Sequence, residues 1–264
     1  MSIIKHCVFC KKSPPDVKMS REHVLRARIG KVLPPCKKSH LIQKNFSSDV
    51  KSYKSRSLLI PESPYNWTVT DICKTCNEGW LHDDVEVPAE ESLFSLIQGV
   101  EIEIPLATAT ALALWAAKTA AVRGIMDPKP MAISPEHFSW IKDNLAPPPY
   151  TYVWLARSEY TPDSFTRHLK FGIASNDGLE LGHMSTIVIG HLAFFVLGCG
   201  SADSAIECSD TIRYLDNHPV FRIWPNSNAT HFNKLPAFGR EKIVDLSFTR
   251  LNIPYPAEFS YGQI

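Results

Sequence analysis

Four of the seven cysteines fall into two matching spacings, Cys7-x-x-Cys10 and Cys73-x-x-Cys76. Two intervening residues let both sulfurs of a pair face one ion, and two pairs supply the four soft ligands of a tetrahedral structural zinc, with Zn–S bonds of about 2.3 Å. The pattern predicts one Zn²⁺ per chain on Cys7, Cys10, Cys73 and Cys76. The pairs are separated by 62 residues, more than an ordinary zinc-ribbon spacer, so the segment between them must carry structure of its own. Cys36, Cys199 and Cys208 are left over. Cys199 follows an apolar run and reads as a small buried hydrophobe. A second metal site drawn from Cys199, Cys208, His218 and His231 matches no defensible ligand spacing.

Two further features sit inside the cysteine frame. Glu22-His23-Val24 follows the first pair, and Asn77 follows the second directly, within Cys76-Asn77-Glu78-Gly79-Trp80. An acid beside a histidine, or an Asn after a cysteine, means little alone. In this order, over about residues 7–86, they resemble the HNH or ββα-metal endonucleases, in the arrangement of their endonuclease VII-like members and of the branch with an EHV pattern followed by CNxGW. The resemblance implies a general base at His23, which takes a proton from the water that attacks a phosphodiester. It implies one catalytic Mg²⁺ or Mn²⁺ on the hard oxygen donors Glu22 and Asn77. It also implies 5′-phosphate and 3′-hydroxyl products, with zinc only holding the strand of Glu22 and His23 against the helix of Asn77. Many relatives carry Asp where this chain has Glu22, which moves the carboxylate by about 1.5 Å. The third family position falls on His82 or Asp83.

Charge separates the chain in two. Residues 1–80 hold 15 Lys and Arg against 6 Asp and Glu, leaving 13 against 21 for the remainder. A basic first segment fits a polyanionic partner, here DNA. Arg21, Arg26, Arg28 and Lys31 flank the acid–histidine pair, and Lys37 and Lys38 open the long insertion; contacts from such residues to phosphates give salt-dependent, sequence-independent affinity. Tyr65 and Trp67, bordering the second cysteine pair, read as packing over the zinc module rather than stacking on bases.

The elements that must position these groups follow from periodicity. With 44% hydrophobic and 21% charged residues, the 264-residue chain is composed as a folded protein,. No apolar run approaches the roughly 18 residues of a membrane span, and Lys5-His6-Cys7 replaces any apolar leader core. A cytoplasmic protein with reduced cysteines is expected. The pattern predicts a helix from Asp71, a second over Glu90–Gln98 stopped by Gly99, and a nearly all-apolar one over Leu106–Val122. A fourth opens at Ser134-Pro135-Glu136 and ends before Pro147. Beyond Tyr150 come β-rich runs, Tyr150–Leu155, Arg167–Ala174, Met184–Ile189, Leu192–Leu197 and Val220–Trp224, with a two-residue hairpin at Gly190-His191. The expected class is α+β: an HNH nuclease module over residues 1–88, then an α+β domain over 89–264 that is helical to 146 and an antiparallel β-rich unit from 150. That second domain lacks a catalytic motif and is expected to serve self-association or an activating partner. A defence effector gated by it is an expectation by analogy. The alternative is a zinc-stapled nucleic-acid-binding or regulatory protein that does not cut.

Overall fold

The computed structural model describes residues 5–33, 39–46, 53–60, 63–127, 131–175, 178–225 and 229–248. The chain is a mixed α+β fold. Strand β1 (Met19–His23) and the single turn α1 (Ile29–Val32) lead into a separate antiparallel pair, β2 (Ser39–Phe46) and β3 (Tyr53–Ile60). After a 3₁₀ turn at Pro64–Asn66, β4 (Thr68–Cys73) returns antiparallel to β1 and runs straight into the short helix α2 (Lys74–Glu78). The helix expected from Asp71 therefore starts later. Asp71 and Ile72 are still strand, and Cys73 is the N-cap, its sulfur accepting from the Cys76 amide at 3.5 Å. A π-helical stretch, Leu81–Glu86, then continues into α3 (Val87–Ile97), which ends before Gly99 at φ +74°.

The short β5 (Glu103–Ile104) precedes α4 (Leu106–Gly124), buried along most of its length as its all-round apolar sequence requires,. In α5 (Pro135–Asn144) the Ser134 hydroxyl caps the first turn, accepting from the His137 amide at 3.3 Å,. The four β-runs expected between Tyr150 and Leu197 merge into two long antiparallel strands, β6 (Thr151–Ser175) and β7 (Gly178–Gly198). Helices α6 (Ala202–Glu207) and α7 (Ser209–Asp216) follow, then β8 (Phe221–Trp224), β9 (Thr230–His231), β10 (Ala237–Phe238) and α8 (Arg240–Phe248). Strand β8 pairs antiparallel with β6, and β10 pairs with it in parallel.

The expected hairpin at Gly190 is instead the interior of β7, with Gly190 opposite Thr161 of β6. Even-numbered Met184 and Val188 share one face of β7 with odd-numbered Ala193, Phe195 and Leu197, so side-chain parity flips between them. The ladder is irregular on both sides of Gly190, where β6 spends four residues against two of β7, and Gly190 itself adopts φ +57°,. A Cβ there would lie 2.4 Å from the Ile97 carbonyl oxygen, which is why the position needs glycine,. The sheet buries both faces. On one, Val153, Leu155, Phe194 and Val196 join an apolar cluster that runs without a break through α4 and α3 to Trp67, Phe9 and Cys7. On the other, Trp154, Phe195 and Leu197 pack with Leu215 of α7 and Ile243 and Leu246 of α8. No described helix is long and apolar enough to cross a membrane.

Candidate metal centre and the acid–histidine strand

The two cysteine pairs meet at one end of the β1–β4 ladder. The first is a tight turn: the Lys11 amide donates to the Cys7 carbonyl at 2.9 Å, with Lys11 at φ 62°. The Val8 amide ties this turn to β4 by donating to the Asp71 carbonyl at 2.9 Å. The ligand atoms of Cys7, Cys10, Cys73 and Cys76 all lie within 4.8 Å of one another. Cys10 and Cys73 sulfurs are 3.7 Å apart, close to the edge of about 3.8 Å that a tetrahedron with 2.3 Å Zn–S bonds requires. A hydrogen bond with the Cys76 thiol holds the Cys7 thiol down to about 4, whereas burial pushes Cys73 up. Lowering of this kind favours the thiolate, the form that binds metal. Phe9 meets Trp80 and Phe138 edge-on at 5.1 and 5.4 Å between ring centres, closing the cluster on one side,. The set suits one structural Zn²⁺.

The acid–histidine pair occupies the other end of β1. Register runs Met19↔Cys73, Ser20↔Ile72, Glu22↔Val69 and His23↔Thr68, with an irregularity that skips Arg21. Asn77 on α2 fills that gap in the ladder: its Nδ2 donates to the Arg21 carbonyl at 3.0 Å and to Ser20 Oγ at 3.1 Å,. The carboxamide thus holds the strand just ahead of Glu22 and His23. Alternation along the strand puts exposed Arg21 and half-buried His23 toward solvent and turns Glu22 inward,.

Glu22 ends in a buried ion network. It is 5% exposed, and its Oε1 lies 3.1 Å from Nζ of Lys118, which is 1% exposed in the middle of α4. The same ammonium is 3.0 Å from Glu86 Oε1. Arg26 Nε sits 3.2 Å from Glu86 Oε2, and Arg26 and Arg28 both pair with Glu90. Burial alone would push Lys118 down, but Glu22 and Glu86 hold it above its ordinary value. Burial likewise works against the Glu86 carboxylate; Lys118 and Arg26 overcome it and keep its pKa low. Three carboxylates and three cations balance, as buried charges must. Neither Glu86 nor Lys118 stands out by motif. The one signal available was a lysine in the middle of an apolar helix, which has to find a carboxylate.

These positions decide the fit of a catalytic divalent ion. Glu22 is committed to Lys118, and Nδ2 of Asn77 is committed to the Arg21 carbonyl and the Ser20 hydroxyl. Among the described residues the cysteines are the one group of three or more His, Cys, Asp or Glu whose ligand atoms converge. His82 pairs with neighbouring Asp83 at 2.9 Å, both exposed. The residues present beside His23 do not fit Mg²⁺ or Mn²⁺. Of the basic residues, Arg21 and Lys31 are exposed, Arg28 is exposed but paired, and Arg26 is held inside the network. Lys37 and Lys38 lie outside the described residues, as does Cys36. Tyr65 and Trp67 are buried and pack within the module, the Tyr65 hydroxyl 2.6 Å from Ser164 Oγ. No family model, curated protein or solved structure matches this chain.

Proposed function

We propose that the chain is a zinc-stapled phosphodiester hydrolase of the HNH type that acts on DNA. The observation that carries the reading is the Asn77 clamp. Asn77, more than fifty positions from the acid–histidine pair, reaches its strand and donates to the Arg21 carbonyl immediately before Glu22 and His23. The packing of β1, β4 and α2, with the four cysteines at one end of the ladder, supports the reading.

In the proposed step, His23 takes a proton from water, the water oxygen bonds to phosphorus, and the P–O3′ bond breaks. The departing oxygen takes its proton from solvent, leaving a 5′-phosphate and a 3′-hydroxyl. Arg21, on the same strand face as His23, and exposed Lys31 supply positive charge to the phosphate,. The acidic remainder of the chain, in this reading, answers a partner or second copy. The hold of Lys118 on Glu22 favours one second reading, a zinc-stapled protein that binds nucleic acid without cutting it.

Cleavage of supercoiled plasmid by the purified chain, beside His23→Ala, separates the two. The variant should lose on the order of 10²–10⁴ in rate while keeping its zinc and its salt-sensitive retention on DNA. Cleavage unchanged in the variant removes His23 from the mechanism, and no cleavage by the wild type leaves the binding reading.

A further inference from the structure

A bridging ion has an unmistakable setting in a protein: carboxylates from separate elements, turned toward one point and shielded from water. Glu22 from β1 and Glu86 from the turn before α3 have this setting, and the point between them is filled. Nζ of Lys118 lies 3.1 Å from one carboxylate and 3.0 Å from the other. The far oxygen of Glu86 is taken by Arg26 at 3.2 Å. Lys118 is 1% exposed, and Leu114, Trp115, Ala121 and Val122 around it on α4 are themselves buried.

We infer that Lys118 is a built-in cation: a positioning residue that occupies the bridging place between Glu22 and Glu86, fixes the strand bearing His23, and makes divalent metal unnecessary there. The clause about catalysis rests on the hydrolytic reading above; the clause about occupancy does not. Mn²⁺ is hard and prefers carboxylate oxygen, and the cysteine site, loaded with Zn²⁺, presents only soft thiolates. The place therefore has a selective probe.

Full-length, zinc-loaded protein in chelating-resin-treated buffer is titrated with Mn²⁺ and followed by electron paramagnetic resonance. Wild type should show no site, Lys118→Ala should gain one, and Lys118→Arg, which keeps the charge, should gain none. The gained site should weaken about tenfold or more when Glu22→Gln is added. A wild-type site that Glu22→Gln weakens, or a folded Lys118→Ala with no site, overturns the inference. If Lys118→Ala does not fold in metal-free buffer, refolding in Mn²⁺ is read instead: rescue supports the inference and its absence overturns it. Plasmid cleavage is run in parallel with and without added Mg²⁺ or Mn²⁺. Cleavage without addition supports the built-in cation. Cleavage only with addition overturns it while leaving the hydrolytic reading intact. No cleavage under either condition removes the hydrolytic reading, and the titration alone then decides occupancy.

Discussion

The two ends of strand β1 handle buried charge in opposite ways. At Met19, paired with Cys73, the fold gathers four thiols and leaves their charge to be met by an ion from outside. At Glu22 and His23 it gathers carboxylates and meets them with its own lysine, carried in from α4. A site of the first kind binds its ion as it folds, so folding waits on metal; a site of the second kind is complete as soon as the chain closes. The difference predicts which perturbations the molecule survives.

The cysteine end should fail hardest. Cys73→Ser, or removal of zinc by a strong chelator, removes binding energy that for structural zinc is on the order of 10 kcal/mol at neutral pH. The apolar cluster and the Glu22–Lys118 pair still tie β1 and β4 to α4, so urea unfolding with zinc analysis should show a large loss of stability centred on the cysteine turns. A folded, zinc-loaded Cys73→Ser protein would contradict the four-cysteine assignment. Breaking the other end should cost less. Lys118→Ala strands Glu22 and Glu86 in the interior and should destabilise by about 3–5 kcal/mol in urea unfolding, the usual result of removing one partner of a buried pair. Replacing all three charges at once, with Lys118→Met, Glu22→Gln and Glu86→Gln, should recover most of that loss. A triple variant no better than Lys118→Ala would mean that the lysine contributes packing rather than charge.

The same contrast explains what could be read in advance. Ligand spacing is a local property, so the convergence of the four cysteines was legible from two CxxC pairs. So were α4, from an unbroken apolar run, and α5, from Ser134-Pro135. The ion network was not, because Glu22 and Lys118 are 96 residues apart and neither belongs to a repeating pattern. The start of α2 lies later than expected because Cys73 caps it and Asp71 is still strand. The hairpin expected at Gly190 is absent because a glycine between two apolar runs signals a turn and a strand irregularity alike, and only the pairing with β6 tells them apart. The expected division after residue 88 has an apolar cluster running past it, from Phe9 through Leu93 and Trp115 to Phe194.

A third buried polar site carries neither an external ion nor an internal counter-charge, and acid should find it. His168 of β6 and His183 of β7 stack at 4.9 Å, and each places Nδ1 against Ser185 Oγ, at 2.7 and 3.2 Å. The nearest carboxylate, Asp127, is 4.0 Å from His168 Nε2 and is held by Arg123 at 2.8 Å. Burial, then the charges of Arg123 and Lys170, push His168 down to about 3, and burial and His168 push His183 well below its usual value. Both rings are neutral in the fold and take a proton on unfolding near 6.5, so the unfolded chain binds more protons. Stability is greatest above pH 6.5 and falls as pH drops below it, by about 2 kcal/mol at pH 5 for His168 and in the same direction for His183,. Glu86, with its depressed pKa, adds to the loss below its ordinary value of 4.5. Urea midpoints between pH 7 and 5 should fall in wild type and fall less in His168→Phe or His183→Phe. Equal slopes would place the acid sensitivity elsewhere.

The smallest effect should come from the residue that joins the two ends. Asn77 stands one position from a zinc ligand, yet its amide is spent on Ser20 and Arg21, on the way to Glu22. Asn77→Ala removes two hydrogen bonds from a half-exposed side chain and should cost about 1–2 kcal/mol, leaving zinc content unchanged. Because the Arg21 carbonyl lies at the irregularity in β1, its loss of a donor should loosen the strand only there. Amide hydrogen exchange should then rise at Glu22 and His23 and stay constant at Cys73 and Cys76. Exchange that rises at the cysteines as well would mean that the zinc end and the ion-network end are one cooperative unit, and the contrast between them would be one of chemistry alone.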